Sequence, residues 1–156
     1  MLYARADQRV LGYLGRALSL ELTAVQQYST QARLVATWGL AEAAERLRHE
    51  ATEELGHVER IIARMLALGV APGASQLRPV QLGRTLHELL QRNHAFEHEL
   101  VRLYDEATRY CAQAGDHDNR LFFQTLLNEE RAHGDELARW LGELEKSAAT
   151  AERATF

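Results

Sequence analysis

Both prolines of this 156-residue chain, Pro72 and Pro79, fall inside one stretch, "GVAPGASQLRPVQLG", residues 69–83. Proline inside a helix removes a hydrogen bond and clashes with the preceding turn. Their confinement leaves the rest of the chain free for long helices, which two shorter breaks divide. One is "TWGL", residues 37–40, where Gly39 can take the left-handed conformation that closes a helix. The other is "QAGDHDN", residues 113–119, a polar turn around Gly115. Between the breaks lie four segments of about thirty residues, each with apolar residues recurring at three- and four-residue steps. Thr85 followed by Glu88 reads as a capping box at the start of the third. Strand signals are absent.

Length turns these segments into a topology. A helix of about thirty residues is about 45 Å long. The first and third breaks are too short to travel that far, so each joins antiparallel neighbours. The middle break, about fourteen residues when extended, just reaches about 45 Å. The second and third helices can therefore run parallel, joined by one long crossover. The expected fold class is all-α, a four-helix bundle of two up-down pairs over residues 1–146. The last stretch, "SAATAERATF", residues 147–156, has little apolar content and reads as a frayed tail or the stub of a fifth helix.

Composition narrows the class. A single domain of this length can bury a core without disulfides, and 46% hydrophobic with 26% charged residues suits a globular fold. The net charge of -4 comes with no basic block, which argues against a nucleic-acid partner. No apolar run approaches the length of a membrane span. The N-terminal "MLYARADQRV" puts charges where a secretory peptide needs an apolar core. Cys111 is the single cysteine, which excludes an internal disulfide and any cysteine-based zinc or rubredoxin-type site. A reducing cytoplasm is the expected location.

The seams carry the functional signal. Each is interrupted near its midpoint by a glutamate where a leucine belongs: Glu21, Glu54, Glu97 and Glu130. His57 follows Glu54 by one turn in "EELGH", and His133 follows Glu130 likewise in "EERAH". Glu21 precedes Glu54 by the interval that separates Glu97 from Glu130, and Tyr28 and Tyr104 each follow their glutamate by two turns. The first two helices and the last two are thus copies of one pattern. All four glutamates lie near mid-helix, so the bundle brings them to one level.

Four carboxylates inside an apolar bundle cannot all stay ionised and unpaired, because desolvation costs several kcal/mol each. Protonating all four would leave many polar atoms unsatisfied. Two divalent cations balance four negative charges. Residues three apart share a helix face, so each Glu-x-x-His offers an oxygen and a nitrogen to one ion, and the other carboxylates bridge or cap. One such motif alone is usually solvated helix surface. Two copies, two partner glutamates and equal intervals point to the dinuclear carboxylate arrangement known from four-helix bundles.

Other polar residues carry less. Tyr28 and Tyr104 read as core tyrosines with bonded hydroxyls, with a supporting or redox role nearer for Tyr28. His49 and Glu53, four apart, make either a secondary metal stop or a solvated pair. His94 and His98 read as surface or packing residues, and Asp116, His117 and Asp118 as turn residues. Cys111 reads as a small core filler. Trp38 and Trp140 serve packing or subunit contacts.

From "ELTAVQQYSTQARLVATWGL" through "HEATEELGH" to "NEERAHGDEL", the chain resembles the bacterioferritin branch of the ferritin-like superfamily. The resemblance implies that Glu21, Glu54, His57, Glu97, Glu130 and His133 are the ligands of a ferroxidase centre, with Glu54 and Glu130 bridging. It implies two iron ions per subunit, with manganese or zinc as other candidates, and O2 or H2O2 as oxidant. Tyr28 matches the family's tyrosine near this centre, and His49 with Glu53 falls where the family holds iron on its inner surface. A hollow shell of 24 subunits storing ferric mineral is the implied assembly. The family's haem-ligating methionine would directly follow Glu54; here Leu55 stands there, and Met1 and Met65 are not positioned to replace it. The resemblance therefore implies a subunit without haem of its own, either in a homo-oligomer or mixed with a haem-binding subunit. The expected activity is oxidation of Fe(II) to Fe(III) with storage of the product. The rivals are a rubrerythrin-like peroxide reductase or other non-storing di-iron oxidase, and a helical assembly protein with a structural metal.

Overall fold

A computed structural model describes residues 6–154, which form four helices: α1 (Gln8–Thr37), α2 (Ala41–Ala67), α3 (Leu86–Gln113) and α4 (His117–Ala154). Residues 1–5 of the N-terminal stretch weighed against a secretory peptide, Met1 among them, lie outside the described residues, as do the last two positions. Among the described residues, no helix is long and apolar enough to cross a membrane.

Local chemistry sets the helix ends. Asp7 caps α1, its Oδ1 accepting from the backbone N–H of Arg9 at 2.8 Å and of Val10 at 3.4 Å. At α3, Thr85 accepts from the Glu88 N–H, but the Glu88 carboxylate reaches back to the Arg84 N–H instead of that of Thr85. The expected capping box is thus displaced by one residue at its return bond. In the two tight turns Gly39 (φ 79°) and Gly115 (φ 71°) adopt left-handed backbone, which a side chain would strain. Leu40 N–H then closes on Val35 C=O, and Asp116 N–H on Cys111 C=O.

The turns make α1·α2 and α3·α4 antiparallel pairs, and α1 also packs along α3. Side-chain bonds running from Gln31–Asn93 through Tyr28–Glu97 to Tyr104–Glu21 fix α1 and α3 as antiparallel. This is the expected up-down, crossover, up-down bundle. The crossover has no helix of its own, so its amides need other acceptors. Ser19, Thr23 and Gln27, one per turn of α1, take the N–H groups of Gln76, Arg78 and Gln81. Arg78 pairs with Glu99 and pins the same segment to α3.

The apolar core falls into two clusters. One, around Tyr13, Leu14, Ile61, Leu100 and Phe123, fills the end where α1 begins; the other, around Val35, Leu47, Leu90, Leu137 and Trp140, fills the end where α1 finishes. Between them lies a polar level. The seams continue through both, and Leu40, in the turn before α2, is 39% exposed. A second difference concerns the tail: no break separates it, and α4 continues past Ser147 to Ala154. Alanine-rich sequence has high helix propensity, so nothing in it stops the helix.

Candidate metal centre

The polar level gathers all six residues singled out by the repeat. Glu21, Glu54 and Glu130 are fully buried, Glu97 and His57 nearly so, and His133 is partly exposed. Their donor atoms form two overlapping groups: Glu21, Glu54, His57 and Glu130, and Glu54, Glu97, Glu130 and His133. Within each, all donor atoms lie within 4.8 Å of one another. Glu54 and Glu130 belong to both, the geometry required of bridging groups, whereas Glu21 and Glu97 each serve one.

Both imidazoles turn Nδ1 inward. His57 Nδ1 lies 2.8 Å from Glu130 Oε1 and 3.3 Å from Glu21 Oε1; His133 Nδ1 lies 2.9 Å from Glu54 Oε1. The two rings stack 5.8 Å apart at 17°. Their outer nitrogens explain the doubled glutamates of both motifs. His57 Nε2 faces Glu129 of α4 at 3.3 Å, and His133 Nε2 faces Glu53 of α2. Each motif's first glutamate therefore supports the other motif's histidine. An outer carboxylate accepting from Nε2–H fixes the tautomer and leaves Nδ1 free for a metal. Sequence reading missed Glu129 and assigned Glu53 only to the pair with His49; the "EE" doublet was the available signal. Glu53 does contact His49, at 3.0 Å, through its other oxygen, while Arg60 holds Glu129 at 2.6 Å.

The tyrosines cross between halves as well. Tyr28 on α1 donates to Glu97 on α3 at 2.7 Å, and Tyr104 on α3 donates to Glu21 on α1 at 2.6 Å. Each thereby orients the unshared carboxylate. A further acid, Glu50, lies largely buried one turn before Glu54, and burial followed by the charge of Glu97 pushes it up to about 8. Beyond Glu97, Gln27, Gln31 and Asn93 bond to one another in the interior.

Protons balance the charge of the metal-free cluster. Burial and the neighbouring Glu54 charge push Glu21 well above the usual carboxylate range; burial with the charges of Glu21 and Glu54 does the same to Glu130. Burial raises Glu97 to about 6. Burial presses on Glu54 too, but hydrogen bonding with Glu21 and both histidines outweighs it and holds Glu54 well below its ordinary value. Burial disfavours charging either imidazole, yet the carboxylates prevail, raising His57 to about 10 and His133 to about 9. Even so, one oxygen each of Glu21, Glu54, Glu97 and Glu130 is buried without a hydrogen bond, although an imidazole Nδ1 lies 3.3 Å from that of Glu54 and 3.4 Å from that of Glu130. Such orphaned oxygens are costly unless something electropositive meets them. Divalent cations fit that need and would displace the protons.

A cleft of about 360 Å³ opens between α2 and α4 onto both imidazoles, flanked by Glu53, Glu129, Glu136 and Arg60. The small residues Gly56 and Ala132, each just before its histidine, line it. A larger groove of about 1030 Å³ runs between α1, α3 and the crossover, and none of the six residues lines it.

The other residues weighed from the sequence sit outside the centre. His94 and His98 pack edge to face on the outside of α3, and Asp116 bonds Asn119 at the start of α4. Cys111 is wholly buried, as is almost all of Trp140, with Arg46 over its ring; Trp38 is exposed. Leu55 is 44% exposed on α2. An alkyl side chain has no lone pair for iron, so the chain supplies no axial haem ligand there.

Comparison with known proteins agrees with this architecture. Residues 11–147 match the ferritin-like domain family. The chain is 41% identical to a bacterioferritin of Rhodobacter capsulatus over 131 residues, covering 84% of this chain and 81% of the relative. It is 35% identical to a bacterial ferritin of Synechocystis sp., covering 88% of each. A solved Rhodobacter capsulatus bacterioferritin, which has a metal-free dinuclear site and haem iron, superposes with a TM-score of 0.87 at 38% identity, over 92% of this chain and 89% of that one. A four-helix bundle with doubled carboxylate and histidine positions, matched over nearly its whole length, makes this chain a member of the ferritin-like family, in its bacterioferritin branch.

Proposed function

We propose that this protein oxidises ferrous iron at the six-residue centre and stores the ferric product. Family membership supports iron storage as the role. The observation that carries the oxidase reading is the pair of overlapping donor groups, with buried carboxylate oxygens of Glu21 and Glu97 that no hydrogen bond reaches. Iron here is substrate. Fe(II) passes through the cleft between Gly56 and Ala132; Glu21 and His57 take one ion, Glu97 and His133 the other, and Glu54 and Glu130 lie between. Oxygen-rich ligation favours the harder ferric product. Each ion gives one electron, so two reduce one H2O2, with two protons, to two waters, or one O2 to H2O2. Protons displaced from the carboxylates and imidazoles on loading are available at the site. Glu53 and Glu129 hold the imidazoles, Tyr28 and Tyr104 the unshared carboxylates, and His49 with Glu53 offers a stop for iron outside. Manganese and zinc fit the same donors.

The implied assembly is a shell of 24 subunits, made of this chain alone or with a haem-binding partner subunit. Addition of Fe(II) in air to metal-free protein tests the reading, with ferric absorbance and particle size followed together. Rapid oxidation ending in a large iron-filled particle is expected. Oxidation only by peroxide, without mineral, would instead make it a peroxide reductase. No oxidation would leave a structural metal.

A further inference from the structure

The Glu21 half of the centre opens onto a row of aromatic rings. Tyr104, bonded to Glu21, lies 6.4 Å centroid to centroid from Phe123. Phe123 lies 6.2 Å from Tyr13, and Tyr13 lies 5.9 Å from Tyr110, which reaches the surface. The first three rings are fully buried. Every phenol in the row donates to a carboxylate: Tyr104 to Glu21, Tyr13 to Glu106 at 3.2 Å, and Tyr110 to Asp7 at 2.6 Å. The internal repeat places Leu47, Leu89 and Leu34 where this row has Phe123, Tyr13 and Tyr110. The row is therefore not a by-product of the duplicated fold.

We propose that Tyr104, Phe123, Tyr13 and Tyr110 form a relay that delivers an electron from the surface when peroxide meets a centre holding a single ferrous ion. The proposal rests on the iron-oxidation reading. One ferrous ion supplies one of the two electrons that peroxide takes up; reduction by that one alone would release hydroxyl radical. With the relay, Fe(II), H2O2, two protons and one phenol with its carboxylate base give Fe(III), two waters, one phenoxyl radical and the protonated base. A phenol that loses an electron becomes a strong acid, so each step needs a base within hydrogen-bond reach, and each tyrosine has one. Glu106 takes the Tyr13 proton and returns it when Tyr110 refills Tyr13. Phe123 is not oxidised, and its ring fills the space between two phenols. The radical ends on Tyr110 with its proton on Asp7. A ferrous ion in solution then gives an electron, the proton returns, and Tyr110 is restored. Arg9 and Arg16 stack over these outer rings and oppose electron loss, which the carboxylates offset.

The test loads full-length protein with one Fe(II) per chain and adds H2O2 with a nitroso spin trap. Electron paramagnetic resonance and peptide mass spectrometry then locate the radical. The parent should carry the adduct on Tyr110. Phe123→Leu and Tyr13→Phe should each lose it there, down to the background of Tyr110→Phe. All three should retain parental oxidation with two Fe(II) per chain, which also reports an intact bundle. Adduct on Tyr110 at parental level in both Phe123→Leu and Tyr13→Phe overturns the relay, as does a parent that oxidises iron without any tyrosyl signal. A parent that oxidises no iron in either loading removes the functional reading itself.

Discussion

The two halves of the proposed metal centre carry matching carboxylate and imidazole donors in unlike surroundings. The shift that carries Glu21 onto Glu97 and Glu54 onto Glu130 also carries Gln27, Gln31 and Glu50 onto Leu103, Ala107 and Leu126, and Asn93 back onto Ala17. The first four are polar; their counterparts are buried and apolar. The Glu97 end therefore has a hydrogen-bonded amide network and an extra acid, whereas the Glu21 end has hydrocarbon and aromatic rings. Duplication has kept the donors and let their environments diverge. A charge is less costly at the polar end, so the two halves differ although their ligands match.

The sharpest way to break the comparison is to remove a shared ligand and an unshared one in parallel. Glu54→Ala should lose both tight metal positions and slow ferrous oxidation by about a hundredfold or more, while Glu21→Ala or Glu97→Ala should lose one. Titration calorimetry with Mn(II) or Zn(II) counts the positions. Loss of both in Glu21→Ala would mean that the halves do not bind separately. Next in size are the outer carboxylates. Glu129→Ala and Glu53→Ala should each weaken metal binding by about 10–100-fold, the first at the His57 half and the second at the His133 half. Equal loss at both halves in either variant would refute the crossed support.

Making the ends alike is a third test. Glu50→Leu installs the residue of the other half, and removing an unpaired buried acid should stabilise the metal-free bundle by about 2 kcal/mol at about pH 9. Urea unfolding measures it. With its carboxyl raised to about 8, the native parent binds more protons than the unfolded chain above the usual carboxylate range. Its stability contribution thus falls as pH rises through about 8, and the variant should lack that slope. The last test is the pH dependence from the imidazoles. His57 and His133, raised to about 10 and about 9, contribute stability that is complete below about pH 6.5 and lost as pH rises through those values. The melting temperature of metal-free protein should therefore decline over that window, and Zn(II) should flatten the decline by displacing the protons. An unchanged profile with Zn(II) would mean that the imidazoles keep theirs.

The sequence was most legible where periodicity acts. A helical stripe cannot hide a glutamate, so Glu21, Glu54, Glu97 and Glu130 were visible as interruptions, and the prolines dictated the single crossover. What escaped depends on contacts between helices. Glu129 looks solvated along its own helix and gains its role from His57 on another. Glu50 lies off the seam, and its burial is set by what packs across from it. Gln27 and Gln31 look like surface polar residues until Asn93 meets them. The tail reads from sequence as a frayed end or a fifth-helix stub, and what its low apolar content hid is that α4 runs into it without a break, sustained by alanine propensity.

One side chain ties the outside of the molecule to its interior. Gln27 accepts the crossover's Gln81 amide with its oxygen and gives its own amide to Asn93 one turn from Glu97. Lengthening the crossover by a residue beyond Arg78 therefore tugs a knot whose other strand is inside the protein, whereas an insertion in the Trp38–Leu40 bend has no such string to pull.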